Sequence, residues 1–215
     1  MSAATTDPDE LLEVFDAKGR PTGRAELRRV IHERGLWHLA FFCWIVTGAG
    51  SVVLQRRASW KDTWPGCFDA SAAGHVRFGE NLAQAARELD EELGLSVDVA
   101  SLEPVMRHRQ EHRHANGLVD RELQDVYLLR CDRRLEDYRP GPEVSGLALV
   151  PLRALVELAQ RTRLEIPTTL VTFDDQHRPL RTPRVLHRED LVPSDPGYHQ
   201  AIALAAAAST RASCC

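Results

Sequence analysis

The run from Gly74 to Leu95 (Gly-His-Val-Arg-Phe-Gly-Glu-Asn-Leu-Ala-Gln-Ala-Ala-Arg-Glu-Leu-Asp-Glu-Glu-Leu-Gly-Leu) constrains this chain more than any other. Leu82, Ala85, Ala86, Leu89 and Leu93 recur at helical spacing and form an apolar stripe that must dock on a core. Gly94 stands where a helix stops, in the C′ position. Glu88, Glu91 and Glu92 occupy i, i+3 and i+4, so three carboxylates share one helical face. Like charges at that spacing repel. A hard cation such as Mg2+ relieves the repulsion, and such cations bind carboxylate oxygens together with substrate phosphates. The competing reading is a solvated acidic helix face.

The rest of the chain sets limits on function. At 215 residues it is expected to form one domain with a real core. A net charge of −4 provides no broad basic field for a nucleic-acid polymer. Only Lys18 and Lys61 are lysines among the 27 basic residues, which makes Lys61 conspicuous. No export-type leader and no long apolar span are apparent, so a cytoplasmic protein without a membrane segment is expected. Cys43, Cys67, Cys131, Cys214 and Cys215 are odd in number, lack metal-type spacing and read as reduced thiols.

Residues 1–9 read as a disordered lead, 10–160 as the main domain, and 161–215 as a C-terminal insertion and helix packing on that domain. Leu11 to Asp16 alternates as a strand, and Arg24 to Glu33 has helical spacing. Trp37 to Val46 reads as a long apolar strand, with Ser51 to Arg57 as its partner across the Thr47–Gly50 turn. Further strands are expected near Leu102 to Arg107 and Glu122 to Leu129. Val144 to Leu149 leads into a helix from Pro151 to Arg161. Residues 164–195 read as a capping insertion with short β pieces, and Tyr198 to Ala208 as a terminal helix. His108, His112 and His114 fall in a basic run read as a solvated loop near the mouth of the site. Strands mixed with helices, without βαβ regularity, indicate an α+β fold.

The window that begins at Gly74 resembles the Nudix box, Gly-x5-Glu-x7-Arg-Glu-(apolar)-x-Glu-Glu-x-Gly-(apolar). Gly74 and Glu80 match its first part, and Arg87, Glu88, Leu89, Glu91, Glu92, Gly94 and Leu95 its second. The spacer from Asn81 to Ala86 is one residue short, where the loop enters the helix. Outside the box, Val14-Phe15-Asp16, Val30-Ile31-His32, Gly35-Leu36-Trp37-His38, Gln55-Arg56-Arg57, Lys61, Trp64-Pro65-Gly66, Ala73-Gly74-His75 and Glu122–Tyr127 resemble the Nudix branch that contains isopentenyl-diphosphate isomerase and related hydrolases.

The resemblance implies a Nudix fold, with a mixed β-sheet sandwiched between α-helices. It implies Mg2+ or Mn2+ on Glu88, Glu91 and Glu92, with Glu91 and Glu92 at the catalytic centre. Arg57 and Lys61 would hold phosphate oxygens. Gly74 would make the turn beside the substrate, and Arg87 would brace the helix there. Glu122 or Glu143 would activate water. In the isomerase a Cys immediately before the Gly-His pair works opposite a Glu in proton transfer. Here that position is Ala73, which has no proton to give, while Glu122 matches the Glu. Hydrolysis needs only the metal, a positioned water and a carboxylate base, so a hydrolase acting on a small-molecule diphosphate is favoured. Residues matching His32, His38, His75 and Glu122 hold a second divalent metal in the isomerase, with Asp120 an additional candidate here, and such a set suits Mn2+ or Zn2+. The other reading of the histidines is a core or substrate-binding role without metal. An isomerase variant and a catalytically silent nucleotide-binding domain stand as alternatives, and homodimerisation is left open.

Overall fold

The computed structural model describes residues 10–195 and 197–209; the expected lead at residues 1–9 and the Cys214–Cys215 pair lie outside them. The chain opens with β1 (Leu11–Phe15), β2 (Pro21–Leu27), α1 (Arg28–Arg34), β3 (Trp37–Val46) and β4 (Ser51–Arg57). Next come β5 (Phe68–Asp69), β6 (Ala72–His75), α2 (Leu82–Ala85) and α3 (Arg87–Leu93). The second half contains β7 (Glu103–Arg113), β8 (Val119–Arg130), β9 (Val144–Pro151), α4 (Leu152–Ala159), β10 (Ile166–Phe173), β11 (Pro179–Leu186) and α5 (Tyr198–Ala208).

β3 organises the molecule. Almost every residue in it is buried, because both of its faces are covered. Phe41, Cys43 and Ile45 pack with Leu89 and Leu93 of α3 on one side. Ala40, Phe42, Trp44 and Val46 pack with α4 and α5 on the other, through Leu155, Leu158 and Ile202. Trp44 Nε1 donates to the Tyr198 hydroxyl at 3.1 Å, which pins α5 to the sheet. Losing that acceptor would leave a buried donor unpaired, at a cost of about 1–3 kcal/mol. The sheet is mixed: β3 runs parallel to β8 from Trp37↔Arg121 to Val46↔Arg130, while its other partners are antiparallel. The fold is therefore α+β, a mixed sheet between helical layers. No helix among the described residues is long and apolar enough to cross a membrane.

Several expectations are corrected. β4 meets β3 only at Val46↔Val52, because β6 occupies the edge of β3 from Ala40 to Cys43; the long partner of β4 is β9. The run read as a helix from Arg24 continues as β2 to Leu27, since pairing with β1 overrides its helical spacing, and α1 begins at Arg28. The basic run from Arg107 is strand β7, hairpinned to β8 by cross-strand pairs such as Arg107–Asp125 at 2.6 Å and Arg121–Glu111 at 2.9 Å. Residues 164–195 contain the β10–β11 hairpin, which joins the sheet through Leu170↔Ala148 and Val171↔Leu147. Cys67 is a free thiol, whereas Cys131 is disulfide-bonded, contrary to the expectation for that residue.

Candidate active site and metal centre

The shortened spacer is absorbed by a break in the helix. Asn81 caps α2: its side chain accepts from Gln84 N, and the Gln84 side chain accepts from Asn81 N, each at 3.1 Å. α2 ends at Ala86 (φ −64°, ψ −8°), and α3 starts afresh at Arg87. The seven residues of α3 keep their internal spacing, so Leu89 and Leu93 enter the core while Glu88 and Glu92 turn to the cavity. Gly94 closes α3 at φ 61°, with its N–H on the Asp90 and Leu89 carbonyls. Gly74 makes no turn. It lies in β6 opposite Phe41, and a Cβ there would sit 2.2 Å from the Glu88 carboxyl carbon. The position is glycine because the carboxylate fills that space.

Glu88, Glu91, Glu92, Glu122, Glu143, Arg57, Lys61, Gly74, His32 and His75 all line one cavity of about 310 Å³. Burial pushes the Glu88 carboxyl up to about 8, helped by the charge of Glu92. Burial also pushes Glu92 up to about 7, against the opposing pull of Lys61 and the Ala73 N–H. Glu92 Oε2 accepts from Ala73 N at 2.8 Å and from Gln55 Nε2 at 3.0 Å. Glu91 is half exposed and pairs with Arg87 at 3.4 Å. Arg87 also pairs with Glu88 at 3.0 Å, Glu80 at 3.3 Å and Glu10 at 3.5 Å. Arg87 is not among the residues lining the cavity, so it braces the carboxylates from behind rather than reaching a bound substrate. Glu80 keeps its contact with the helix despite the short spacer.

On the cationic side of the cavity, Arg57 and Lys61 both line the wall and both already have partners within the protein. Arg57 is tied by Nε and Nη2 to the Thr63 carbonyl, both at 3.1 Å, and it faces Asp69 at 3.5 Å. Lys61 forms an ion pair with Glu143. Arg28, on which no sequence expectation fell, is buried in the cavity wall. Among the described residues it pairs with Asp62 at 3.6 Å, and its Nε has no hydrogen-bond partner. Two more cavity residues lay outside the expected set: Glu10, which pairs with His75 at 3.5 Å, and Gln124.

The three histidines meet as a cluster, with ring centroids 5.0–5.3 Å apart. Burial, followed by mutual repulsion, holds His32 and His75 far below the ordinary histidine range. Burial also lowers His38. All three are neutral imidazoles with a lone pair to offer. His38 Nδ1 donates to the Leu36 carbonyl at 3.1 Å, which leaves Nε2 as the bare nitrogen. Asp120 Oδ1 lies 3.7 Å from both His38 Nε2 and His32 Nε2, and among the described residues none of these three buried atoms has a hydrogen-bond partner. Burial raises Asp120, and burial together with Asp120 raises Glu122. Converging, unpartnered nitrogens and carboxylate oxygens fit a divalent cation. Two overlapping groups qualify: His32–His38–His75 and His38–Asp120–Glu122.

β7 supplies a further wall. His108, Gln110 and His112 alternate inward, while Arg107, Arg109, Glu111 and Arg113 face solvent. Gln110 Nε2 and His112 Nε2 reach the Pro193 carbonyl at 2.7 and 3.1 Å. The segment before α5 is thereby strapped across one end of the cavity.

A family model described as NUDIX domain matches residues 36–169. An uncharacterized Nudix hydrolase of Clostridium acetobutylicum is 30% identical over 198 residues, covering 90% of this chain and 95% of that protein. An isopentenyl-diphosphate Delta-isomerase of Leifsonia xyli is 40% identical over 126 residues, 57% of this chain and 67% of the isomerase. Among solved structures, DR0079 from Deinococcus radiodurans superposes with a TM-score of 0.53 at 22% identity, over 68% of this chain and 86% of that one.

Proposed function

This chain belongs to the Nudix hydrolase family, and from that premise we propose that it is a cytoplasmic, Mg2+- or Mn2+-dependent enzyme that cleaves the phosphoanhydride bond of an organic diphosphate, releasing a monophosphate. The carrying observation is the pair Glu88 and Glu92. These are two carboxylates 9% and 4% exposed, both with raised proton affinity, set in a cavity that also presents Arg28, Arg57 and Lys61. Buried carboxylates that already have protein partners in Arg87, Ala73 and Gln55, yet still face further cations across an open cavity, are costly as structure alone.

Glu88, Glu91 and Glu92 would hold the ion, which supplies charge neutralisation at the scissile diphosphate. Arg28 and Lys61 bind the phosphate oxygens, while Arg57, held by Thr63, fixes the loop that carries Lys61. Glu122 is committed to the histidine cluster, so Glu143 is the base in this reading. It lines the cavity, lies near enough to raise Glu92, and is oriented by Lys61. His32, His38, His75, Asp120 and Glu122 would hold a second divalent ion that anchors the substrate.

The histidine–carboxylate cluster, with the isomerase relatives, also favours a second reading, an isomerase acting on a prenyl diphosphate. Ala73 argues against it, because that wall of the cavity offers no thiol. The test is Glu92→Gln, which keeps the shape of a side chain bonded to Ala73 and Gln55. We expect metal-dependent phosphate release to fall by about two orders of magnitude or more with the thermal midpoint preserved. Wild-type rates would overturn the assignment.

A further inference from the structure

We propose that Trp64 Nε1 and Gln124 Oε1 are the donor and acceptor that select the organic half of the substrate, so that this site takes diphosphates whose organic group is itself polar and rejects hydrocarbon chains. The inference rests on the diphosphate reading above and deepens it.

Trp64 and Gln124 both line the cavity. Gln124 is 3% exposed. Its Nε2 donates to Glu122 at 2.7 Å, and among the described residues its Oε1 accepts from nothing. Trp64 Nε1 is a buried donor, likewise without a partner. Buried polar groups in folded proteins are normally paired, so an unpaired donor and an unpaired acceptor on one cavity imply a ligand that supplies both. The placement of Trp64 supports this. Its backbone is left-handed at φ 49°, an unfavourable conformation for a bulky residue, and such conformations concentrate at ligand sites. His112 and His114 hold the indole edge-on at 5.3 and 5.2 Å. Trp64 also lies three residues beyond Lys61 on the loop between β4 and β5, and both side chains line the same cavity. The strap at Pro193, which His112 holds beside the indole, and the hydroxyl-bearing Tyr198 complete the cavity wall. A prenyl chain would cover both orphaned groups and satisfy neither. Sites built around hydrogen bonds reject analogues that lack the matching groups far more strongly than apolar pockets reject a change of size.

The test compares kcat/KM for ADP-ribose, UDP-glucose, coenzyme A and geranyl diphosphate with Mg2+, in wild type, Trp64→Phe and Gln124→Met. In wild type the best polar compound should exceed geranyl diphosphate by about 100-fold or more. Trp64→Phe keeps the ring and removes only the N–H, and it should shrink that ratio about tenfold. Gln124→Met also releases Glu122, so Trp64→Phe decides the outcome, with circular dichroism confirming that each variant is folded. Geranyl diphosphate equal to or better than every polar compound, or an unchanged ratio in Trp64→Phe, overturns the proposal. Failure of all four compounds to turn over refutes the hydrolase reading instead. Calorimetric binding of the same four compounds then measures selection without turnover: the best polar compound should bind more tightly than geranyl diphosphate, and the reverse order overturns the proposal.

Discussion

Replacing Gly74 by alanine isolates the position of one carboxylate. The new Cβ would lie 2.2 Å from Glu88 Cδ and 2.3 and 2.5 Å from its two oxygens. Nothing about the backbone forbids alanine, since Gly74 is an ordinary β6 residue outside the left-handed region. The Glu88 side chain must therefore move. Ordinary van der Waals contact begins at 3.4 Å, so the carboxyl retreats by roughly 1.2 Å, and misplacements near 1 Å cost catalytic centres about 100-fold. Stability should change little. Glu88 is the end of a flexible side chain, and removing glycine from the unfolded chain recovers about 0.4–1 kcal/mol. We therefore expect kcat for Mg2+-dependent phosphate release to fall about 100-fold, with the thermal midpoint shifted by no more than about 4 °C, equivalent to about 1 kcal/mol for a chain of this size. Shortening the acid in a Gly74→Ala, Glu88→Asp double variant should restore part of the loss, because it reopens the space. A kcat within about threefold of wild type would refute the claim that Glu88 acts from this position.

The other substitutions probe separate walls. Lys61→Ala should raise KM for diphosphates with a steep salt dependence, whereas Arg57→Ala should also lower the thermal midpoint, because its guanidinium ties the Thr63 loop; identical behaviour of the two would count against that division. His38→Ala should weaken Mn2+ or Zn2+ binding by at least about tenfold in calorimetry, and undiminished binding would remove the cluster as a metal centre. Wild type should not isomerise isopentenyl diphosphate, and Ala73→Cys is the one variant from which a trace is expected, since His32, His38, His75 and Glu122 still frame the site; robust wild-type isomerisation would reverse the choice of chemistry.

The sequence made some of this legible for definite reasons. The α3 face, the Gly94 stop and the length of α5 follow from helical spacing, a local property. β3 was visible as an apolar run, but its partners were not, because β6 and β8 come from distant segments and compete for its edges. Arg28 stood within an expected helix, at what proves to be its first turn, and only tertiary burial distinguishes it from the chain's other arginines. The β7 wall was misread because its charge suggested a loop, although the signal was present: His108, Gln110 and His112 alternate strictly with Arg107, Arg109, Glu111 and Arg113. Gln124 and Trp64 fall in stretches that carry the family resemblance, but nothing in the sequence marks the unpaired buried atom of each.

Phosphorus NMR of the products tests the central claim most directly, with Mg2+ or Mn2+ added or chelated, across sugar nucleotides, dinucleoside polyphosphates, coenzyme A and prenyl diphosphates. We predict metal-dependent conversion of a diphosphate signal into monophosphate signals, abolished by Glu92→Gln. A diphosphate that emerges intact and isomerised, or one that binds saturably without any change in its phosphorus resonances, would contradict it.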